Sequence, residues 1–468
     1  MKWKKRIDGQ ETPYIPAGPF KIRLPFIHYR FEWPDYVQGL LMCAVDLGAI
    51  TLLADHLGMP FEVALAIVIL NGLLYLTHHI LGDPVIPGWI TPAVPLIVLF
   101  VKQFEEGPDR VYALIAFQLT LGILSIFLGV TGLASKVVRL VPNAIKSGII
   151  LGAGIGAIVS IFEVGGKFEL FPITITICIG FAFYLLFSKH YEKLKLKNKM
   201  WVLIGNLGIL PAILLAVIVA PIFGEAKWPD IQWGFSNPDF ATLWSDYTVF
   251  GLGFPAFSYF LSAIPAVLAT YLVVFGDVLK TKALLSESDV VRTDEKVDYN
   301  PNRAHLIFGG RNMVMSMIGP DITMAGPMWA AMQVVVVERF KSGKKAMNSF
   351  FGGAGSFRWG TNTGLLLLPI VSLVEPILGV ALALTLLVQG YVSVRIGVMQ
   401  SQSQRDLGIA GVVGAILVIK GAGMAFAAGI ILCILLYGKD FLRGENDQTF
   451  SHHAKAKKEI EAKEVKAG

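Results

Sequence analysis

Apolar segments, most of about 18 to 25 residues, recur from Tyr36 to Tyr437 with no long polar domain between them, and a segment of that length crosses a hydrocarbon core of about 30 Å as a helix. That feature removes most soluble folds, because in lipid every peptide N–H and C=O must find its partner inside the protein. Composition agrees. The 468 residues are 54% hydrophobic and 16% charged, where a soluble domain carries roughly 25% charged residues. The expected fold class is an all-α polytopic membrane protein of about 14 spans.

The segments fall at 36–56, 60–79, 84–101, 110–134, 141–163, 171–188 and 200–223, then at 254–285, 304–318, 325–340, 347–370, 374–394, 407–419 and 421–437. An even number puts both ends on one side. Short cytoplasmic loops hold the Lys and Arg excess, and the loops on the side of the N-terminus carry Lys136, Arg139, the lysines 189 to 199, Lys280, Lys282, Arg292, Lys296, Arg339 and Lys341. The other side has little beyond Lys102, Arg110, Lys167, Lys227 and Lys420. Both termini are thus expected in the cytoplasm, and the net charge of +6 reads as topogenic rather than as a nucleic-acid surface. The first thirty residues have no apolar core ahead of a small-residue cleavage site, so no secretory signal is expected.

One stretch conflicts with a continuous helix. "GPDITMAGPMW", Gly319 to Trp329, sets an aspartate among prolines and glycines beside apolar runs. It belongs to a repeat: Pro84 to Gly107 lies without a gap on Pro320 to Gly343, pairing Ile86 with Ile322, Val98 with Val334 and Phe104 with Phe340. Proline removes a donor and clashes with the preceding turn, so each copy reads as a short extended piece followed by a half-helix beginning near Thr91 or Ala325. The charge pattern orients the two copies oppositely. Paired, interrupted spans in inverted halves mark a transporter's binding site near the bilayer midplane. The two half-helix N-termini would then attract an anionic or electron-rich solute, and the extended pieces are expected to pair antiparallel. Trp89, Ile90 and Thr91 of the first copy and Asp321, Ile322, Thr323, Met324 and Gly326 of the second are the expected substrate-binding residues.

Ionisable groups within spans are costly and are functional candidates by default. Asp46, in "CAVDLGAI", is one, as a site for H⁺ or Na⁺ or else a packing hydrogen bond. Asp277, in "VVFGDVLKTK", either ligands a coupling ion or pairs with Lys280. Arg358, in "RWGTNTG", neutralises an anion or Asp46 if it is in the span, but the expected reading is an interfacial loop with the span starting at Gly364. Arg311 and Asn312 pose the same alternative. His78 and His79 read as a solvated pair at headgroup level. "GAGIGA", Gly152 to Ala157, and "GGAG" at Gly352 read as close helix packing through small residues, and no Walker A motif supports ATP-driven transport. Cys43, Cys178 and Cys433 sit in separate apolar segments and carry no expected chemistry. No catalytic or metal site and no cofactor beyond a coupling H⁺ or Na⁺ is expected.

Broken third and tenth spans, an inverted repeat and two short closing spans together resemble the uracil-permease-like fold shared by nucleobase–ascorbate transporters and sulfate-permease-type anion transporters. "VPNAIKSGIILGAGIGAI" is similar to the fifth span of the nucleobase permeases, "VEPILGVALALTLLVQGY" to the twelfth, and "VVFGDVL" to the eighth-span motif. The resemblance implies two inverted seven-span repeats divided into a core (36–134 and 253–370) and a gate (135–223 and 371–438). A cytoplasmic segment 1–35, an extracytoplasmic loop 224–252 and a cytoplasmic tail 439–468 complete the chain, and the family forms dimers through the gate. The chain departs from the nucleobase branch: Val273 and Gly326 stand where those permeases carry ring-binding glutamates. The expected function is a secondary active transporter of a small polar or anionic solute in the cytoplasmic membrane, working in the lipid bilayer with H⁺ or Na⁺. The alternatives are an anion channel of the same fold and a membrane enzyme, for which no convergent catalytic set is visible.

Overall fold

The computed structural model describes residues 6–134, 136 and 140–438; Arg139, residues 1–5 of the N-terminal segment and the tail 439–468 lie outside the described residues. Among the described residues six helices are long and apolar enough to cross a membrane: Trp33–Leu57, Phe61–Ile80, Pro108–Thr131, Asn143–Leu170, Phe257–Val291 and Leu368–Gln400. Pro172–Phe187 joins Lys189–Lys197 across a 61° bend as a seventh candidate. Helices Val94–Val101, Leu210–Ile222, Pro301–Ile318, Ala330–Lys341, Phe350–Leu366, Gln404–Lys420 and Ala422–Tyr437 occupy the other segments expected as spans. The chain is a multi-pass, all-α membrane protein.

Helix ends follow local chemistry. Pro108 opens its helix at the first position, where a missing N–H costs nothing, and Gly132, at φ 67°, closes it in the left-handed conformation that glycine adopts without a side-chain clash. The lysines from 189 to 197, expected in a loop, are helical: the Ser188 side chain caps the segment by accepting from the His190 and Tyr191 N–H groups. The described residues ahead of the first span form strands rather than helix. Ile15–Ala17 and Phe20–Ile22 pair as an antiparallel hairpin, and Lys21 and Arg23 donate main-chain N–H bonds to Leu81 and Ile80.

The helices pack in two groups. Trp33–Leu47 lies on Phe350–Leu366 and Pro108–Thr131 on Pro301–Ile318, while Asn143–Phe162 lies between Leu378–Gln400 and Gln404–Lys420. Small residues make these approaches possible. A Cβ added at Gly154 would sit 2.8 Å from the Gly390 carbonyl oxygen and one at Gly152 2.8 Å from that of Gly414, so "GAGIGA" is a packing surface. The glycines of "GGAG" are likewise buried, with Gly352 lying against the Arg30 carbonyl.

Candidate functional site

The two broken segments run as extended chain through the middle of the first helix group and pass each other antiparallel. Ile90 N–H donates to the Thr323 carbonyl at 3.0 Å, Gly326 N–H to Gly88 at 2.8 Å and Trp329 N–H to Ile86 at 2.6 Å. The expected pairing is present as hydrogen bonds without a regular strand. A turn in which Met324 N–H donates to the Asp321 carbonyl places Met324 at φ 53° and interrupts the register. The second half-helix begins at Ala330 rather than Ala325, because residues 325–329 are still engaged in the crossing.

Buried peptide groups must be paired, and amide side chains complete the account. The Gln333 Oε1 accepts from Ile86 N–H at 2.7 Å and its Nε2 donates to the Pro84 carbonyl at 3.4 Å. The Asn312 Oδ1 accepts from Ala325 N–H at 2.8 Å and its Nδ2 donates to the Ala325 carbonyl at 2.9 Å. The Gln118 Oε1 accepts from Asp321 N–H at 3.1 Å. The interruption of both helices at membrane depth is therefore satisfied within the protein.

Behind the crossing lies a buried ionic layer. Arg358, fully buried in the helix Phe350–Leu366 rather than in a loop, donates to Asp46 Oδ2 at 3.0 Å and to the Pro87 carbonyl. Its guanidinium stacks 4.0 Å from the Tyr75 ring and 5.2 Å from the Trp329 ring. The loop expectation fails because small residues around Arg358 let that helix press against the first span, which supplies the counter-ion. Arg311 is buried as well. It donates to Asn71 Oδ1 and to His78 Nε2, both at 2.9 Å. A guanidinium only donates, so His78 Nε2 accepts and its Nδ1–H faces Asp83 Oδ2 at 2.8 Å. Asn71 Nδ2 donates to Asp321 Oδ2 at 2.6 Å, and Thr323 donates to Asp321 through both its N–H and its hydroxyl. His78 and His79 are buried, not solvated as expected, because the N-terminal hairpin covers the loop that follows them.

In front of the crossing, a cavity of ≈ 80 Å³ separates the two helix groups. Trp89 and Thr91 line it from the first broken segment, Trp329 and Ala330 from the second, Asp277 from the helix Phe257–Val291, and Thr385 and Gln389 from the facing group. Both half-helix starts thus reach one cavity, where first-turn N–H groups lack helical partners. Asp277 is also the partner of Lys280, at 3.0 Å. Among the expected binding residues, Trp89 and Thr91 line the cavity, while Ile90, Asp321, Ile322, Thr323 and Met324 are buried within the crossing. Gly326 faces the Gly88 and Trp89 main chain, and Asp46 is held by Arg358.

No family model matches the chain, and no curated protein sequence matches it. Solved structures do. The transmembrane domain of a cyanobacterium bicarbonate transporter, BicA, aligns with a TM-score of 0.54 at 15% identity, over 86% of this chain and 98% of that one. SLC26A9 aligns with a TM-score of 0.57 at 14% identity, over 87% of this chain and 66% of that one. The fold is the uracil-permease-like inverted-repeat fold.

Within that fold, the supports of the crossing carry little local signal in the sequence. Asn71, Tyr75 and His78 fall at intervals of four and three, one face of a helix, and this polar stripe inside an apolar span was the available signal. Gln118 and Gln333 gave none beyond being amides at membrane depth, and Asn312, beside Arg311, left open whether it lies in the span or in an interfacial loop.

Proposed function

We propose that the chain is a secondary active transporter of a small anion, coupled to H⁺, which moves a core (36–134 and 253–370) against a gate (135–223 and 371–438). The observation that carries this reading is the meeting of both half-helix starts at one small cavity between the two helix groups. Helix N-termini favour negative charge, and an opening of ≈ 80 Å³ suits an inorganic ion or a small carboxylate better than a purine. Val273 and Gly326, at the positions of the nucleobase permeases' glutamates, leave no carboxylate pair to read a ring. The likeness to a bicarbonate transporter supports the same substrate class.

Coupling falls to Asp277. Arg358 already occupies the place a Na⁺ would take beside Asp46, whereas Asp277 lines the cavity itself. By the charge distribution of the loops, both termini face the cytoplasm, and the gate is the surface through which two copies associate.

Purified protein in liposomes should give saturable counterflow of bicarbonate or another small anion. Flux linear in concentration and without counterflow would indicate the anion channel of this fold instead. Asp277→Asn should retain counterflow and lose accumulation driven by a pH gradient by at least about tenfold, as expected when a proton-binding carboxylate is removed from an ion pathway. Equal accumulation in the variant and the parent would remove Asp277 from coupling.

A further inference from the structure

A groove of ≈ 500 Å³ lies between the two helix groups at the end remote from the N-terminal hairpin. Its charged residues come from both walls. Lys102, the C-cap of the half-helix Val94–Val101, reaches Glu163 at the end of Asn143–Phe162 at 3.3 Å. Lys167, whose stem passes over Gly379 of Leu378–Gln400, reaches Asp55 of Ala49–Leu57 at 2.6 Å. Each pair thus has one residue in each helix group, and the lysines stand on opposite walls. Arg110, Glu106 and His56 complete the polar lining. At the other end a cavity of ≈ 450 Å³ reaches Pro92 and Gly276, and its lysine pair, Lys280 with Asp277, lies within one helix.

The half-helix joins groove and central cavity. Thr91 and Pro92 at its start line the cavity, Val94, Pro95 and Val98 line the groove, and Lys102 ends it about 12 Å further on by the rise of an eight-residue helix. Separating the helix groups at this end must break both ion pairs and leave an ammonium on each wall. Two such groups facing a solvated groove are an anion-binding arrangement.

We propose that Lys102–Glu163 and Lys167–Asp55 form a latch that holds the two walls of the groove together, and that a small anion in the groove releases it by displacing Glu163 and Asp55 from the two lysines. The inference rests on the core-against-gate reading above. A surface ion pair such as Lys102–Glu163 shifts an equilibrium by about fivefold at most, and Lys167–Asp55, whose lysine is largely covered, is the stronger of the two. The latch is therefore a bias rather than a lock.

The test uses full-length protein in detergent at low, constant ionic strength, since surface pairs are screened within about 10 Å at 0.1 M salt. The native cysteines are all buried, so Ser160→Cys in the groove wall reports opening through its rate of labelling by an impermeant maleimide. Asp55→Asn with Glu163→Gln should raise that rate at least threefold, and exchanging one pair's charges, Lys167→Asp with Asp55→Lys, should leave it within twofold of the parent. Replacing gluconate by bicarbonate should speed labelling in the parent and not in the neutralised variant. An unchanged rate in the neutralised variant overturns the latch, and an equal response to bicarbonate in both proteins overturns its release by anion. Absence of anion flux in liposomes alongside the expected labelling would sink the transport reading and leave the latch supported.

Discussion

Replacing Arg358 with Met, or Asp46 with Asn, lowers the apparent unfolding temperature of the purified protein sharply, and replacing both together lowers it less than the sum. The reason is the depth of the pair. Both side chains are buried and the guanidinium also holds the Pro87 carbonyl, so removing one partner leaves an uncompensated charge out of reach of water. Breaking such a pair costs about 3–5 kcal/mol, whereas replacing both members by neutral groups of similar volume is often close to neutral. Thermal unfolding of the two single variants and the double variant forms a cycle whose coupling term isolates the interaction. Additive effects would show that Asp46 is not paired in the protein and would return it to the role of a free ion-binding carboxylate.

The pairing separates what could be read from the sequence from what could not. The spans and the repeat were legible because they rest on local rules: an apolar run of sufficient length, and Pro and Gly where a helix cannot continue. The Asp46–Arg358 pair joins residues 312 apart, and nothing in "RWGTNTG" taken alone distinguishes a span from an interfacial loop. The burial of His78 and His79 is hidden from the sequence for a similar reason. Hydropathy sets them at the end of an apolar run, but residues 21 and 23 fold back onto residues 80 and 81 and close off the solvent there. The supports of the crossing were hidden because an amide that satisfies a distant peptide group leaves no period in its own segment. The packing role of the glycine-rich stretches is legible because close approach depends on the residue's own size.

Gly326→Leu and Gly88→Leu abolish transport, lowering flux by at least about a hundredfold, as expected when a preorganised site is displaced by about 1 Å, and Gly326→Ala has a smaller effect in the same direction. A Cβ at Gly326 would lie 2.9 Å from the Gly88 carbonyl oxygen and from the Trp89 carbonyl carbon, and one at Gly88 2.7 Å from the Trp329 Cβ. These neighbours are main chain or the root of a side chain and cannot rotate away. The segments must separate, and Gly326 N–H loses the Gly88 carbonyl, its partner at 2.8 Å. Because Trp89 and Trp329 line the cavity from the two segments, separation moves both half-helix starts and the proposed solute site is lost. The loss is expected in binding and in flux, with the outer helices still assembled, so a Gly326→Leu protein that elutes as a single species and binds bicarbonate like the parent would show that the crossing tolerates displacement and that the anion is held elsewhere.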